Sequence, residues 1–511
     1  MNTPALMVLG TASHAGKSLV TAGLGRIFSD SGLKVAPFKA QNMSLNSAAT
    51  PDGREIGRAQ ALQAEACRVM AKAEMNPVLL KPTSDTESQV ILVGRVWGQV
   101  TAADYFERRV EDLFPAVLES YRSLASQYEL ILLEGAGSPA EINLREHDIV
   151  NMRMAHAADA ACILVGDIDR GGVFASLLGT MELLTLEDRA RIRGFLVNKF
   201  RGELSLLRPG VETIEQRLGI PCAGVIPYLR GHGLEEEDSV ALEDRRTPDR
   251  LWREPRGPRG PEGPLRIGIV ALPHMANFTD FDALAMEPCV SLAFLEDPRD
   301  AEPCDVLVLP GSKQTFDDLA WLRGQGFADR IVRHPGLAIG ICGGFQMMGI
   351  AIDDPLGVEN GGLARSVAGL GLLPVRTVMR PQKTVRRASG ELECCVAPRF
   401  TGYEIHMGET EYGAECQPFA RILREGDAAP VPDGATARSG RVWGTYVHGI
   451  FDNDAFRHAF LDAARKACGL EPAAEYQPVT GQRDARIDRW ADHLRRALDL
   501  NLIRRWIGVR A

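Results

Sequence analysis

Short, unbroken apolar runs recur through the first half of the chain, and amphipathic stretches separate them. The runs occupy residues 5–10, 34–38, 130–135, 161–167 and 195–200. A run without polar alternation is typical of a strand buried on both faces, as in a parallel sheet, and the stretches between such runs favour crossover helices. The pattern therefore predicts a doubly wound α/β domain over residues 1–244.

The composition changes after this domain. Residues 245–264 read RRTPDRLWREPRGPRGPEGP, a Pro-, Gly- and Arg-rich stretch that cannot bury a core and is predicted to be a linker. The apolar runs then resume at residues 265–272, 305–311, 337–344 and 444–451. They predict a second doubly wound parallel-sheet domain over residues 265–470. The remaining residues, 471–511, form a tail in which a helix is predicted at 484–500.

Composition and charge narrow the class of protein. The chain has 511 residues, of which 45% are hydrophobic and 24% charged, as in soluble globular proteins with two or three domains. A net charge of −9 argues against a nucleic-acid-binding protein. The sequence has neither an apolar run of about 18 residues nor a signal-peptide pattern, so no membrane association is expected. The ten cysteines form no C-x-x-C pair, which favours a reducing, cytoplasmic location.

A loop with the sequence GTASHAGKS occupies residues 10–18, between a predicted strand and a predicted helix. Small residues let backbone N–H groups approach phosphate oxygens, and the helix N-terminus adds positive potential. We predict a nucleotide site with contacts from Thr11, Gly16, Lys17 and Ser18, in which Ser18 also ligates Mg²⁺. The loop departs from the usual pattern, because Thr11 stands where Gly is expected, six residues before Lys17. The alternative is a plain Gly-rich turn.

Two polar residues follow other predicted strands of the first domain. Glu134 ends the run 130–133, and carboxyl ends of parallel strands are where such sheets bind ligands. Glu134 is therefore predicted to hold the nucleotide Mg²⁺, with a helix cap as the alternative. Asn198 follows another apolar run and is a candidate contact for the nucleotide base.

The second domain contains a cysteine in a turn of small residues. Residues 340–346 read GICGGFQ after an apolar run, which predicts a sharp strand-to-helix turn that exposes Cys342 as a nucleophile. A helix N-terminus and a nearby His would favour its thiolate. The backbone N–H of Gly343 is a candidate oxyanion donor, and the turn at Gly311, after another strand, is a candidate second donor.

His448 lies at the end of the apolar run that precedes it, far from Cys342 in sequence, as catalytic bases often are. A lone His is usually structural, and a lone buried Cys is usually inert. The cysteine turn, the strand-end His448 and Gln346, four residues after the cysteine, together favour a catalytic Cys–His pair.

These residues resemble the class I glutamine amidotransferase domain, whose nucleophile turn has the form G-x-C-x-G-x-Q. The resemblance implies that Cys342 attacks the side-chain amide of glutamine and that His448 relays the proton, with Gln346 among the glutamine-binding residues. The sequence departs from the family pattern in two places. Ile450 stands where a Glu usually completes the triad, and Ser312 replaces a commoner Gly. The group that orients His448 is left open.

The first domain resembles the dethiobiotin synthetase group of P-loop proteins. Taken together, the two domains resemble the cobyric acid synthase family. This resemblance is carried by six strings: APFKAQNMSLN (36–46), GRAQALQAE (57–65), MNPVLLKPTSDTESQV (75–90), EGAGSPAEINL (134–144), GDIDRGGVF (166–174) and GYEIHMG (402–408). The resemblance covers nearly the whole chain, and these strings are more specific than either loop motif alone.

The family resemblance implies an ATP-, Mg²⁺- and glutamine-dependent ligase that amidates four carboxylates of adenosylcobyrinic acid a,c-diamide through acyl phosphates. Candidate corrinoid contacts lie in the matching strings: Lys39, Gln41, Asn42, Lys81 and Ser84. Two alternatives stay open, the sister enzyme cobyrinic acid a,c-diamide synthase and a regulatory P-loop ATPase with an inactive amidotransferase-like domain. The sequence also leaves the choice between a monomer and a homo-oligomer open.

Overall fold

The computed structural model describes residues 3–84, 86–234, 260–359, 361–393, 398–414, 416–479 and 481–509. Most of the predicted linker, residues 245–259, lies outside this part of the chain. The described residues form two compact units. The first draws on Met1–Ser44, Arg54–Asp238 and Gln482–Ala511, and the second on Leu45–Gly53 and Ser239–Gly481. Among the described helices, none combines the length and apolar character needed to cross a membrane.

The first unit is built on a parallel sheet, with six strands in the described part of the chain. In spatial order the strands are Cys222–Pro227, Ile192–Phe200, Ala161–Asp167, Ala5–Gly10, Leu130–Glu134 and Val35–Phe38. The first strand lies inside the sheet, with two parallel strands on one side of it and three on the other. This arrangement confirms the doubly wound fold and brings the carboxyl ends of all the strands to one edge.

Helices cover this sheet. The longer ones are Lys17–Asp30, Arg58–Ala66, Phe114–Ala125, Val173–Leu183 and Leu204–Leu218. Shorter helical segments are Ala73–Met75, Ala102–Arg108, Arg109–Leu113, Ile142–His147, Met152–Ala157 and Leu186–Arg189. A separate small sheet contains Gln41–Met43, Val78–Pro82, Glu87–Leu92 and Arg95–Thr101.

From Gln482 onward the tail of the chain belongs to the first unit, whereas residues 471–481 belong to the second. Its helices Arg483–Ala497 and Leu500–Ile507 bury apolar side chains in the same core as the helix Lys17–Asp30. The indole N–H of Trp490 donates to the carbonyl of Leu19 at 2.7 Å. The predicted terminal helix is therefore two helices, and both contribute side chains to the core of the first unit.

The second unit contains another mainly parallel sheet. Its strands in the described chain are Val290–Leu295, Leu265–Val270, Val306–Leu309, Leu337–Ile341, Val442–Thr445 and Ala435–Ala437, of which only the last pair runs antiparallel. Helices of this unit are Asp282–Ala285, Thr315–Gln325, Phe327–Val332, Gly343–Met348 and Asp454–Ala467. Its one-turn helices are Phe278–Phe281, Pro298–Ala301, Arg438–Gly440 and Ile450–Asp452. The second predicted α/β fold is thereby confirmed.

A mostly antiparallel sheet accompanies it. The strands are Arg365–Ala368, Ala351–Asp354, Val375–Leu392, Ala420–Arg424 and Val431–Asp433, and Phe400–Tyr412 pairs with Val375–Leu392. Two short strands, Met275–Ala276 and Gly311–Ser312, pair antiparallel beside the parallel sheet. The segment Leu45–Gly53, which contains the strand Ser47–Ala49, also belongs to this unit although it comes from the first half of the chain.

Candidate functional sites

The loop at residues 10–18 joins the first strand to the helix Lys17–Asp30, at the carboxyl edge of the sheet. Gly16 has φ 92°, a left-handed conformation that suits glycine, and a Cβ there would lie 2.2 Å from the amide nitrogen of Asn198. The ammonium group of Lys17 donates to the carbonyls of Ala12 at 2.9 Å and Gly137 at 3.1 Å. The lysine is thus held over the loop, where a phosphate group would lie.

A buried carboxylate faces this loop. Ser18 Oγ donates to Glu134 Oε1 at 2.7 Å, and Lys39 Nζ lies 3.0 Å from the same oxygen. Gln63 Nε2 donates to Glu134 Oε2 at 2.6 Å. Glu134 comes from the strand next to the first strand, so the sheet itself brings the two predicted Mg²⁺ ligands together.

The oxygen atoms at this position fit Mg²⁺. The hydroxyl of Ser18 and the carboxylate of Glu134 are hard donors of the kind that Mg²⁺ prefers. Oε1 of Gln63 is buried beside them and has no hydrogen-bond partner in the part of the chain that the structure describes. No group of three or more His, Cys, Asp and Glu among the described residues could hold a metal. The hydroxyl of Ser18 and the carboxylate of Glu134 would hold Mg²⁺ together with nucleotide phosphates, and that role stays a prediction.

Asn198 lies next to the loop and supports it. Its Nδ2 donates to the carbonyl of Ala15 at 2.9 Å, and its Oδ1 accepts from the backbone N–H of Lys199 at 2.9 Å. Lys199 Nζ in turn donates to the carbonyl of His14 at 2.8 Å. Thr11 pairs through its backbone N–H with Val165. Asn198 thus fixes the shape of the loop, and contact with the base stays a prediction.

The structure brings most of the five candidate corrinoid contacts close together. Asn42 Nδ2 donates to Gln60 at 3.0 Å, Gln41 accepts from the hydroxyl of Tyr105 at 2.6 Å, and Lys81 pairs with Glu55 at 2.7 Å. Gln41 and Asn42 share a strand that pairs with the strand of Lys81. Lys39 lies at the Glu134 carboxylate. Ser84, at the end of the same small sheet, is exposed.

Cys342 occupies the predicted turn in the second unit. It has φ 51° and ψ −109°, an unusual conformation for a residue with a side chain, and it immediately precedes the helix Gly343–Met348. Its thiol lies 3.5 Å from the carbonyl of Ile405. The backbone is held in this conformation by the hydrogen bond from the N–H of Cys342 to the carbonyl of Thr445.

The turn at Gly311 lies directly against the cysteine turn. A Cβ at Gly343 would lie 2.8 Å from the backbone nitrogen of Ser312, so only glycine allows this approach. Ser312 Oγ donates to the buried carboxylate of Asp318 at 2.6 Å, which holds the turn in place. The two predicted oxyanion donors are therefore on neighbouring backbone segments beside the sulfur.

His448 completes the arrangement. Its Nδ1 lies 2.6 Å from Asp280 Oδ2, and a side-chain hydrogen bond links it to Cys342. Burial by itself would lower the pKa of His448, but the charges of Asp280 and Cys342 raise it well above its usual value. Electrostatics therefore favour the protonated, positively charged form of the His448 imidazole beside Cys342. Gln346 is also buried here, and its amide contacts Thr315 and the hydroxyl of Tyr446.

Asp280 was missed by the sequence reasoning. It lies in the one-turn helix Phe278–Phe281, 168 residues before His448, so no local spacing connects the two. The string at residues 402–408 carries part of the family resemblance. It runs along the cysteine site, because Ile405 contacts Cys342 and Tyr403 stacks on His448 with ring centres 5.4 Å apart.

Two family models match the chain, and together they cover most of it. A model described as the CobQ/CobB/MinD/ParA nucleotide binding domain matches residues 6–236. A model described as the CobB/CobQ-like glutamine amidotransferase domain matches residues 266–456.

Full-length relatives and a solved structure are also similar. A cobyric acid synthase of Syntrophobacter fumaroxidans is 46% identical over 99% of this chain and 98% of its own length. A cobyric acid synthase of Sorangium cellulosum is 47% identical over 100% of this chain and 99% of its own. A solved structure titled as a glutamine amidotransferase is 18% identical, covers 39% of this chain and 98% of its own, and has a TM-score of 0.30.

Proposed function

The chain belongs to the cobyric acid synthase family, ligases that form carbon–nitrogen bonds with glutamine as nitrogen donor, and we propose that it converts adenosylcobyrinic acid a,c-diamide into adenosylcobyric acid. Four peripheral carboxylates are amidated, with ATP consumed at each. The observation that carries the proposal is that one chain contains two sites. One is the loop at residues 10–18 with the carboxylate of Glu134 beside it, and the other is the pair of Cys342 and His448. The reaction belongs in the cytoplasm, where thiols stay reduced.

The nucleotide site of the first unit activates a carboxylate of the corrinoid substrate. A carboxylate is a poor electrophile, so its oxygen attacks the γ-phosphorus of ATP, ADP leaves, and an acyl phosphate forms. Lys17 and the loop N–H groups hold the phosphates, and Ser18 and Glu134 would hold Mg²⁺, which spreads negative charge when bound. Ammonia then attacks the acyl carbon, phosphate leaves, and the nitrogen loses a proton to give the amide.

In the second unit, the residues release that ammonia. The sulfur of Cys342 attacks the side-chain amide carbon of glutamine, and the N–H groups of Gly343 and the Gly311 turn receive the oxyanion. His448 gives its proton to the leaving ammonia, which leaves a glutamyl thioester. Water, deprotonated by His448, then hydrolyses the thioester to glutamate and restores the thiol.

Mass spectrometry of the products tests this function. The purified chain, supplied with MgATP, glutamine and the diamide acceptor, is expected to add four amides. Two amides added to the hexa-acid would instead identify the a,c-diamide synthase, and no corrinoid product with continued ATP hydrolysis would favour a regulatory ATPase. Cys342→Ala should lose glutamine use and keep ammonia use, whereas Lys17→Ala should lose both.

A further inference from the structure

We propose that Asp280 positions His448 for the glutaminase step, and that Asn46 and Ser47, which come from the first half of the chain, hold the turn that carries Asp280. This inference rests on the proposed function. The position two residues after His448, where a Glu is usual, holds the buried apolar Ile450. The structure supplies a carboxylate from a different part of the sequence.

Asp280 fixes both the ring and the backbone of the histidine segment. Its Oδ2 lies 2.6 Å from His448 Nδ1, and its Oδ1 accepts the backbone N–H of Gly449 at 3.0 Å. Asp280 is 4% exposed and His448 is 1% exposed, so water does not compete for these contacts. Because the Asp280 carboxylate accepts a hydrogen bond from Nδ1, the other ring nitrogen, Nε2, is left to face Cys342. Proton transfer to and from the sulfur requires this orientation of the ring.

An aromatic side chain and backbone groups also lie against the ring. Tyr403 stacks on one face of His448, and its N–H and carbonyl pair with the backbone of His448. A Cβ at Gly311 would lie 3.2 Å from Cε1 of the ring. The ring is thus confined by packing, while Asp280 determines which nitrogen faces the sulfur.

The turn that carries Asp280 is held by a reciprocal pair of hydrogen bonds. The backbone N–H of Ser47 donates to Asn277 Oδ1 at 2.8 Å, and the backbone N–H of Phe278 donates to Asn46 Oδ1 at 3.2 Å. Asn46, Ser47 and Asn277 are all buried. Both bonds lie between the segment Leu45–Gly53 and the start of the one-turn helix.

Asn277 links these bonds to Asp280. It has φ 53°, a left-handed conformation that asparagine tolerates better than most residues, and its carbonyl accepts the backbone N–H of Asp280 at 3.0 Å. Loss of either reciprocal bond leaves a buried polar group unpaired and frees the turn to move. A displacement of about 1 Å at a reacting group costs about a hundredfold in rate. The glutaminase is therefore completed by residues outside its own domain in sequence.

The rate of glutamate release by the full chain tests whether Asp280 positions His448. Asp280→Asn should lower kcat about a hundredfold or more and change the KM for glutamine less than about threefold. Synthesis with added ammonia should stay within about twofold of the unaltered chain, which shows that the variant is folded. Asp282→Asn, a half-buried carboxylate on the next element, is the matched control and should retain glutaminase activity. Equal kcat in Asp280→Asn and the control would overturn the inference.

The pH profile of Cys342 alkylation by iodoacetamide adds a readout that a structural role would not change. Without the Asp280 charge the imidazolium is less stable, so alkylation at pH 7 should be at least about tenfold slower and recover at higher pH. An unshifted profile would contradict the positioning role. The alkylation measurement needs no corrinoid, so it tests the role of Asp280 independently of the proposed function. The proposed function fails on a different result, namely if the chain forms no corrinoid amide when it is supplied with ammonia.

Variants of Asn277 and Asn46 test whether the segment Leu45–Gly53 holds the turn that carries Asp280. Asn277→Gly keeps the left-handed turn but removes the acceptor for Ser47, and Asn46→Ala removes the acceptor for Phe278. Each should lower glutaminase kcat by about tenfold or more and leave ammonia-dependent synthesis unchanged. If glutaminase activity stays at the level of the unaltered chain in both variants, the first half of the chain plays no part in positioning Asp280.

Discussion

The ammonium group of Lys39 lies 3.0 Å from Oε1 of Glu134, and both side chains are almost completely buried. Ser18 donates to the same oxygen, and Gln63 donates to the other. One lysine therefore compensates the charge of the carboxylate that is predicted to hold Mg²⁺. The stability of the first unit and its chemistry thus depend on the same buried group.

Lys39→Met is expected to destabilise the chain by about 3–5 kcal/mol, because it leaves the buried charge of Glu134 without its cation. The double variant Lys39→Met/Glu134→Gln should recover part of that loss, since it removes the charge as well. Urea denaturation measures both. Lys34→Met, at an exposed lysine, is the control and should change stability by less than about 0.5 kcal/mol. A double variant that is less stable than Lys39→Met would contradict this explanation.

Gly16→Ala is expected to weaken ATP binding at least about tenfold. Any side chain at φ 92° is strained by about 1–2 kcal/mol, and here the Cβ would also push Asn198 away from the loop. Gly32 separates these effects, because its φ of 91° is nearly the same and a Cβ there meets no atom within 4 Å. Gly32→Ala should therefore lose some stability and keep its ATP affinity. Calorimetric titration with MgATP compares the two variants, and similar affinities would refute the loop contact.

Gly343→Ala is expected to reduce glutamate release by about a hundredfold or more, since a Cβ 2.8 Å from the Ser312 nitrogen must separate the two turns that are proposed to bind the oxyanion. Ammonia-dependent synthesis should continue. Gly324→Ala is the control, because a Cβ at Gly324 meets nothing within 4 Å and the residue lies inside a helix. The rates of the two variants are measured with glutamine and with ammonia as nitrogen source. Equal glutaminase rates in Gly343→Ala and Gly324→Ala would contradict the proposed oxyanion-binding role of the turn at Gly343.

Asp433 should make the stability of the chain depend on pH. Burial, aided by the charge of Glu404, raises the pKa of Asp433 to about 7, so the folded chain binds a proton there that the unfolded chain has released. Stability from this group is full below the unfolded pKa and is lost as the pH rises toward 7. Between pH 5 and 7 the loss is about 2–3 kcal/mol.

Asp433→Asn isolates this contribution, because asparagine cannot ionise, and its amide oxygen can accept the backbone N–H of Tyr446 while its NH₂ group donates to the hydroxyl of Thr445. The stability of the variant relative to the unaltered chain should rise between pH 5 and 7 and level off above about pH 8. Urea denaturation across this range, with the exposed Asp427→Asn as control, measures the effect. A difference that does not change with pH would show that Asp433 is already ionised in the folded chain.

The sequence predicted the parallel strands well because they are buried on both faces. The run at 161–167 coincides with the strand Ala161–Asp167, and the run at 337–344 contains Leu337–Ile341. The long strand Val375–Leu392 was not predicted, because exposed and buried positions mix along it and leave no apolar run. The edge strand Cys222–Pro227 was missed because it is only partly buried.

For the candidate sites, the local sequence was enough to predict the conformation of the chain where the proposed residues lie in one turn. Lys17, Ser18 and Cys342 each lie in a strand–turn–helix pattern that can be read directly. Asp280 lies far from the site in sequence, and its meeting with His448 depends on the packing of the whole unit. The partnership between Asn46 and the turn at Asn277 is equally non-local.

The two helices at the end of the chain affect how a nascent chain matures. They fill the core beneath the helix Lys17–Asp30, so the first unit lacks part of its interior until residues near Ile507 have left the ribosome. The described residues of the second unit end at Gly481 and emerge earlier. Domains made first usually fold first. Here the first unit, although it begins the polypeptide, needs the last helices for its core, so the second unit can finish folding before the first.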